Sequence, residues 1–248
     1  METVIKVTIY SLFGLLRIEL LIYIFTIKAY YFILVHNKKY QNYFYPHECF
    51  IIGDPLAKNY KIGFTRPALL QETVLIAQLF QDLQDWGAVK LVVQQENLLL
   101  NRTARSGEIM FSEIHKRLGL LAESQLAVIA DNFPQDVFQL VWIALCKQYS
   151  FIGDFTVEVL EPAHSSGRDT IGNDDYRYFF NMKAEWHAEL DKVSDKTRSN
   201  AKQALFQMMR QCNLLSESNQ LVPQLISDAV QNCSPNSDIA FIPGAIRI

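Results

Sequence analysis

From Lys61 onward, apolar residues recur at intervals of three and four, separated by polar clusters. That spacing predicts a succession of helices. In "RPALLQETVLIAQLF" Pro67 suits a first helical turn, where its missing N–H costs nothing, and Leu70, Val74, Ala77, Leu79 and Phe80 form a stripe. "DWGAVKLVVQQENLLLNR" continues the pattern, with Gly87 as the expected break between two helices. In "SGEIMFSEIHKRLGLL" Ser106 is a suitable N-cap, Met110, Phe111, Ile114 and Leu118 share a face, and Gly119 is a suitable stop. "ESQLAVIADN" and "PQDVFQLVWIALCKQYS" are further helices. The second is apolar nearly all round, the pattern of a central buried helix.

"FIGDFTVEVLEP" fits helix or strand, and "AHSSGRDTIGN" is loop chemistry. Asn173 or Asp174 is the expected cap of "DYRYFFNMKAEW", and a long helix is expected from about Ser194 to Cys212. Two short apolar runs flank Ser216–Gln220, which predicts a hairpin. The expected fold is mainly α, a helical bundle with helix-turn-helix or winged-helix-like units. The expected organisation is an atypical extension over 1–59, a helix-turn-helix-like half over 60–165, a winged-helix-like half over 166–230, and an extended tail over 231–248.

Residues 1–35 are strongly apolar, but Arg17 and Glu19 fall in their middle and Lys28 follows. Each such charge costs roughly 2.5–3.5 kcal/mol at a bilayer centre, and the uncharged runs fall short of the ~20 residues a span needs. A membrane span is therefore not expected, a membrane partner is disfavoured, and no signal-peptide pattern is present. Composition also breaks near residue 60. Gln41 is the only glutamine before it, and Met1 is the only methionine before Met110. A start assigned too far upstream, an accessory hairpin and a membrane-peripheral anchor all fit that break.

The net charge of -3 excludes a generally basic nucleic-acid coat, but not a binder whose cations are segregated on one face. The four cysteines lack zinc-knuckle or redox spacing and fit a reducing, cytoplasmic setting. There is no phosphate-cradling glycine loop and no Gly-x-Ser-x-Gly elbow, and His36, His47, His115, His164 and His187 lack metal-ligand spacing. Asp154 and Glu158 are spaced like metal-holding carboxylates, but Leu160 stands where a nuclease of that type needs lysine. No catalytic group, metal, cofactor or small-molecule substrate is expected.

Two basic stretches remain. On the helix from Ser194, the residues Ala201, Ala204, Leu205, Met208 and Met209 face one way. Lys196, Ser199, Gln203, Gln207 and Arg210 face the other, with Arg198 and Lys202 on the flanks. Arg and Lys neutralise phosphates, and Gln reaches base edges or phosphate oxygens. A helix followed by a hairpin is also the order of a winged helix. By charge pattern alone, a solvated amphipathic helix is the plainer reading. The second stretch sets Arg102 and Arg105 in a turn before a helix that ends with Lys116 and Arg117, which is helix-turn-helix order. Glu108 and Glu113 dilute its charge, and Lys116 and Arg117 also suit the helix C-terminus.

"DWGAVKLVVQQENLLLNRTARSGEIMFSEIHKRLGLL", "LVWIALCKQYSFIGDFTVEVL" and "KTRSNAKQALFQMMRQCNLLSESNQLVPQLI" together resemble the BrxA family, a component of bacterial BREX phage-exclusion systems. The resemblance covers about residues 60 to 229 and lies in the pattern of the whole body. It implies an all-helical, non-catalytic protein that binds double-stranded DNA beside the methyltransferase and other BREX proteins. Members have been catalogued as inner-membrane proteins, and nothing in the body here supports a span. The family has also been compared with the NusB fold, which implies an RNA-binding alternative, and a scaffold for BREX proteins is a third reading. The DNA-binding set expected from charge geometry is Lys196, Arg198, Lys202, Gln203, Arg210, Arg102, Arg105, Lys116 and Arg117.

Overall fold

The computed structural model describes residue 60, residues 62–64 and residues 66–247; the expectations for 1–59 lie outside these residues. The described residues before Leu70 form no regular element, and five helices follow: α1 (Leu70–Leu83), α2 (Trp86–Gln95), α3 (Ala104–Leu118), α4 (Glu123–Ala130) and α5 (Pro134–Gln148). α6 begins as Ser150–Phe155, widens to a π-helical turn over Thr156–Leu160 and ends as Glu161–Ser165. Then come α7 (Asn173–Ala184), α8 (Ala188–Asp191), α9 (Asp195–Gln211), β1 (Gln224–Ile226), α10 (Asp228–Cys233), α11 (Asn236–Ile239) and β2 (Ala245–Arg247). The fold is mainly α, as the periodicity predicts.

α5 is the axis of the core. Leu140, Val141, Trp142, Ile143 and Leu145 are all buried, which explains a sequence apolar on every side. Pro134 occupies its first turn, where no N–H is needed. α1 packs mainly on α4, α3 packs on α5, and α6 follows α5 at close quarters. A second cluster of rings joins α6 to α7: Phe151 and Phe155 each meet Phe179 edge-on, with centroids 5.1 and 5.2 Å apart. Such edge-to-face pairs add stabilisation beyond their burial.

The ambiguous "FIGDFTVEVLEP" is helical, and its irregularity has a chemical cause. Pro162 lacks the N–H that would close the regular ladder onto residue 158, and its ring crowds that carbonyl. The Thr156 hydroxyl also donates to the Ile152 carbonyl at 2.9 Å, a bond that loosens a helix. The turn widens, and the Glu161 N–H bonds to the Thr156 carbonyl.

Several helix ends differ from expectation. α1 starts at Leu70, because the Pro67 and Ala68 carbonyls and the Ala68 N–H are engaged by distant side chains. The break before α2 falls at Gln84–Asp85, where the Asp85 carboxylate accepts from the Gly87 N–H. Thr103 caps α3, and Ser106 serves as its partner by donating to the Thr103 carbonyl at 2.9 Å. Gly172 is the N-cap of α7, its N–H held by Asp175 at 2.8 Å. Gly119 ends α3, and Ser194 and Cys212 bound α9, at the positions read from sequence. The region after 231 is not uniformly extended: it holds the end of α10, α11 and then β2, which pairs in parallel with β1 in the register Leu225↔Ile246.

Candidate nucleic-acid interface

α9 is capped by the Ser194 hydroxyl, which accepts from the Thr197 N–H at 3.2 Å. It buries Ala201, Leu205, Phe206, Met208 and Met209, essentially the stripe read from the sequence. The chain then forms a small antiparallel arrangement. Leu215 bridges Leu221, and Gln220 bridges Thr170 from the loop before α7. The Val222 N–H bonds to the Leu214 carbonyl at 3.0 Å, and the Leu221 N–H to the Asp169 carbonyl at 2.8 Å. The order is therefore helix α6, a strand-like stretch at Asp169–Ile171, helix α7, the short α8, helix α9, and a hairpin that returns to the first stretch.

The four cations expected on α9 divide into two kinds. Arg198 lies over the Phe180 ring, 4.1 Å from its centroid, and donates to Asn181 Oδ1 at 2.6 Å. The same turn receives the Tyr176 hydroxyl, which donates to the Arg198 carbonyl at 3.3 Å. Arg198 therefore pins α9 to α7. Arg210 donates to Asn219 Oδ1 at 2.8 Å and lies 4.0 Å from Glu217, tying α9 to the hairpin tip. Lys196 is exposed and Lys202 half-buried, and neither makes an ion pair among the described residues. Asn200, Gln203 and Gln207 are exposed, and their amides make no hydrogen bond among the described residues.

The second basic stretch divides as well. Arg102, Arg105 and Lys116 are exposed. Arg105 and Lys116 line a groove of about 1260 Å³ between α2 and α3, floored by Trp86, Phe111 and His115. Trp86 stacks on Phe80 at 4.1 Å, and burial holds the His115 imidazole below its ordinary pKa. Lys90 and Glu108 pair across the groove at 3.3 Å.

Arg117 corrects the expectation outright. It is 1 % exposed, so no phosphate can reach it. Its guanidinium donates to the carbonyls of Pro67 (3.2 Å) and Ala68 (3.0 Å), to Gln148 Oε1 (3.2 Å) and to Glu113 (3.2 Å). Burial pushes the Glu113 carboxyl up, but hydrogen bonds from Tyr149, Arg117 and Gln148 and the charge of Arg117 together hold it below its ordinary value.

Sequence reasoning missed Lys183. α7 carries it to the two carboxylates that lacked a lysine, 3.4 Å from Asp154 and 2.5 Å from Glu158. The Tyr60 hydroxyl also donates to Asp154. The result is a largely buried knot of charge that fastens Tyr60 to α6 and α7. Among the described residues, no three His, Cys, Asp or Glu side chains gather to hold a metal ion. Cys146 and Cys212 are buried free thiols, the second pushed up by burial to about 12. Among the described residues, no helix is long and apolar enough to cross a membrane.

These features define a mainly helical protein with a helix-and-hairpin unit that displays a polar, uncommitted surface. The BrxA family model matches residues 58–235, and the chain belongs to that family. Membership points to an association with BREX phage defence. No curated protein matches the chain. Among solved structures, it is similar to the crystal structure of an uncharacterized protein from Magnetospirillum magneticum. That likeness has a TM-score of 0.62 at 19% identity, covers 75% of this chain and 97% of that one, and extends to the fold alone.

Proposed function

We propose that the chain is a non-catalytic component of BREX-type phage defence that binds double-stranded DNA. α9 enters the major groove, and the Leu215–Leu221 hairpin lies beside it as a wing. One observation carries the reading. The strand-like stretch, the helices α7, α8 and α9, and the hairpin, closed by the Thr170↔Gln220 and Leu215↔Leu221 bridges, run in an order that supports a winged-helix reading with α9 as the recognition helix. The exposed Lys196 and the half-buried Lys202 supply phosphate contacts on that helix. Arg102, Arg105 and Lys116 supply a second set around α2 and α3.

Fluorescence anisotropy with duplex DNA, single-stranded DNA and RNA, each over a salt series, tests the proposal. Duplex DNA should bind tightest. Each phosphate contact contributes about 0.9 to the slope of log affinity against log salt. Lys196→Gln with Lys202→Gln should therefore flatten the slope by about 1.8. Tightest binding to RNA would replace the reading with an RNA-binding one. No binding to any nucleic acid at low salt would leave a protein scaffold.

A further inference from the structure

We infer that the exposed face of α9 reads bases through an amide row, Asn200, Gln203 and Gln207, and selects adenine-bearing pairs in the major groove. The inference rests on the DNA-binding proposal and adds the sequence class recognised.

The argument begins with which side chains are left to meet a ligand. At 3.6 residues per turn, Lys196, Asn200, Gln203 and Gln207 fall within about 60° of one another on the helix. All four are exposed, whereas Arg198 is folded back onto Phe180 and Asn181 and Arg210 is held by Asn219. The centre of the outward face is therefore neutral. Lys196 lies towards its N-terminal end, and Lys202 stands off to the side. A face that only neutralised phosphates would present its cations and leave its neutral positions indifferent. Here both arginines are withdrawn, and planar groups carrying one acceptor and two donors stand in their place.

Those groups have a definite match. Adenine shows an N7 acceptor and an N6 donor in the major groove, which Asn and Gln amides meet in bidentate fashion. Guanine shows two acceptors, O6 and N7, and is read best by Arg or Lys. The arginines that would read guanine are tied down within the protein. From Asn200 to Gln207 the row spans about 10 Å at 1.5 Å per residue, or roughly three steps along one strand at 3.4 Å each. Three steps join four base pairs, so the three amides can engage three of four consecutive pairs.

The test is selection from a randomised duplex library with the full chain, followed by anisotropy on the selected site. A window of about four base pairs, with A·T at three of them, is expected. Replacing its adenines one at a time with 7-deazaadenine removes the N7 acceptor and leaves pairing intact. At one position this should weaken binding by the parent roughly tenfold, within the range of one bidentate contact, and should leave the Gln203→Ala variant unaffected. A merely structural role for Gln203 would not abolish the response to a single missing ring nitrogen. Three results overturn the inference. One is duplex binding with no base preference, or with a G·C window, which leaves the DNA-binding proposal standing. Another is a preference unchanged in the Asn200→Ala, Gln203→Ala, Gln207→Ala triple variant. The third is the absence of any duplex binding at low salt, which removes both readings together.

Discussion

Arg117 offers the sharpest test of the packing. Arg117→Met keeps an unbranched apolar stem and removes the guanidinium. The carbonyls of Pro67 and Ala68 then lose their donor, and Gln148 Oε1 and Glu113 lose a charged partner. Glu113 keeps its hydrogen bonds from Tyr149 and Gln148 but loses its cation. Removing one partner of a buried pair costs about 3–5 kcal/mol. A chain of this size loses roughly 2–4 °C of Tm per kcal/mol, so the midpoint should fall by roughly 6–20 °C. Arg117→Lys keeps the charge but lacks the planar fork. It satisfies only some of the four acceptors and should lose less than the methionine variant. Urea unfolding followed by circular dichroism gives the free energy, with the slope m unchanged if the unfolded state is unaltered. A loss below about 1 kcal/mol for Arg117→Met, far under the expectation for a buried pair, would refute the reasoning. At temperatures where the variant is folded, its duplex affinity and salt slope should equal the parent's, because Arg117 never reaches the surface.

Gly244 has φ of 63°, and an added Cβ would fall 2.5 Å from the His164 ring, whereas Gly167, at φ 70°, has open space around it. Gly167→Ala should therefore cost only the strain of a left-handed alanine, about 1 kcal/mol, and Gly244→Ala clearly more, by thermal denaturation. Arg198→Ala should destabilise the fold by about 1–2 kcal/mol, through the lost cation–π contact and the lost hydrogen bond to Asn181; calorimetry checks this. Burial holds both His115 and His164 below the ordinary histidine value, against a smaller upward pull of Glu161 on His164. Below about pH 6.5 the unfolded chain then binds more protons than the folded one. The stability present above that pH should fall as pH drops through the two native values. Denaturant midpoints over pH 7 to 5 check the slope, which should shrink in His115→Phe.

The elements legible in the sequence were those whose signals are local. α9 was bounded by Ser194 and Cys212 because its cap and its apolar stripe lie within one stretch of chain. α5 was legible as a buried helix for the same reason. The fate of the arginines was not local. Arg117 points at carbonyls some fifty residues earlier, and Arg198 finds Phe180 and Asn181 on another helix. A helical wheel places a cation on a flank without showing whether an aromatic ring from elsewhere will cover it. The helix itself lies where the sequence placed it, but two of its four expected cations brace the fold and the exposed centre of its outer side is amide. Lys183 was hidden in the same way, since the carboxylates it joins lie 25 and 29 residues away.

The long-range ties of Tyr60 and Ala68 have a consequence for the order in which the molecule assembles and opens. They close very long chain loops: Tyr60 to Asp154 spans 94 residues, Tyr60 to Glu189 spans 129, and Ala68 to Gln211 spans 143. Each loop's closure entropy precedes any gain from the contact it permits. These ties should therefore form after α6, α8 and α9 have taken their places. On this reasoning the stretch that carries Tyr60 and Ala68 should dock late, and native-state hydrogen exchange should place the Tyr60 and Ala68 amides in an opening unit of lower free energy than the amides of α5. When that stretch lifts, it uncovers the ring of Phe151, against which Tyr60 and Phe64 pack at 6.0 Å. Partial unfolding by this route should therefore offer the apolar surface around Phe151 to other chains before the rest of the core.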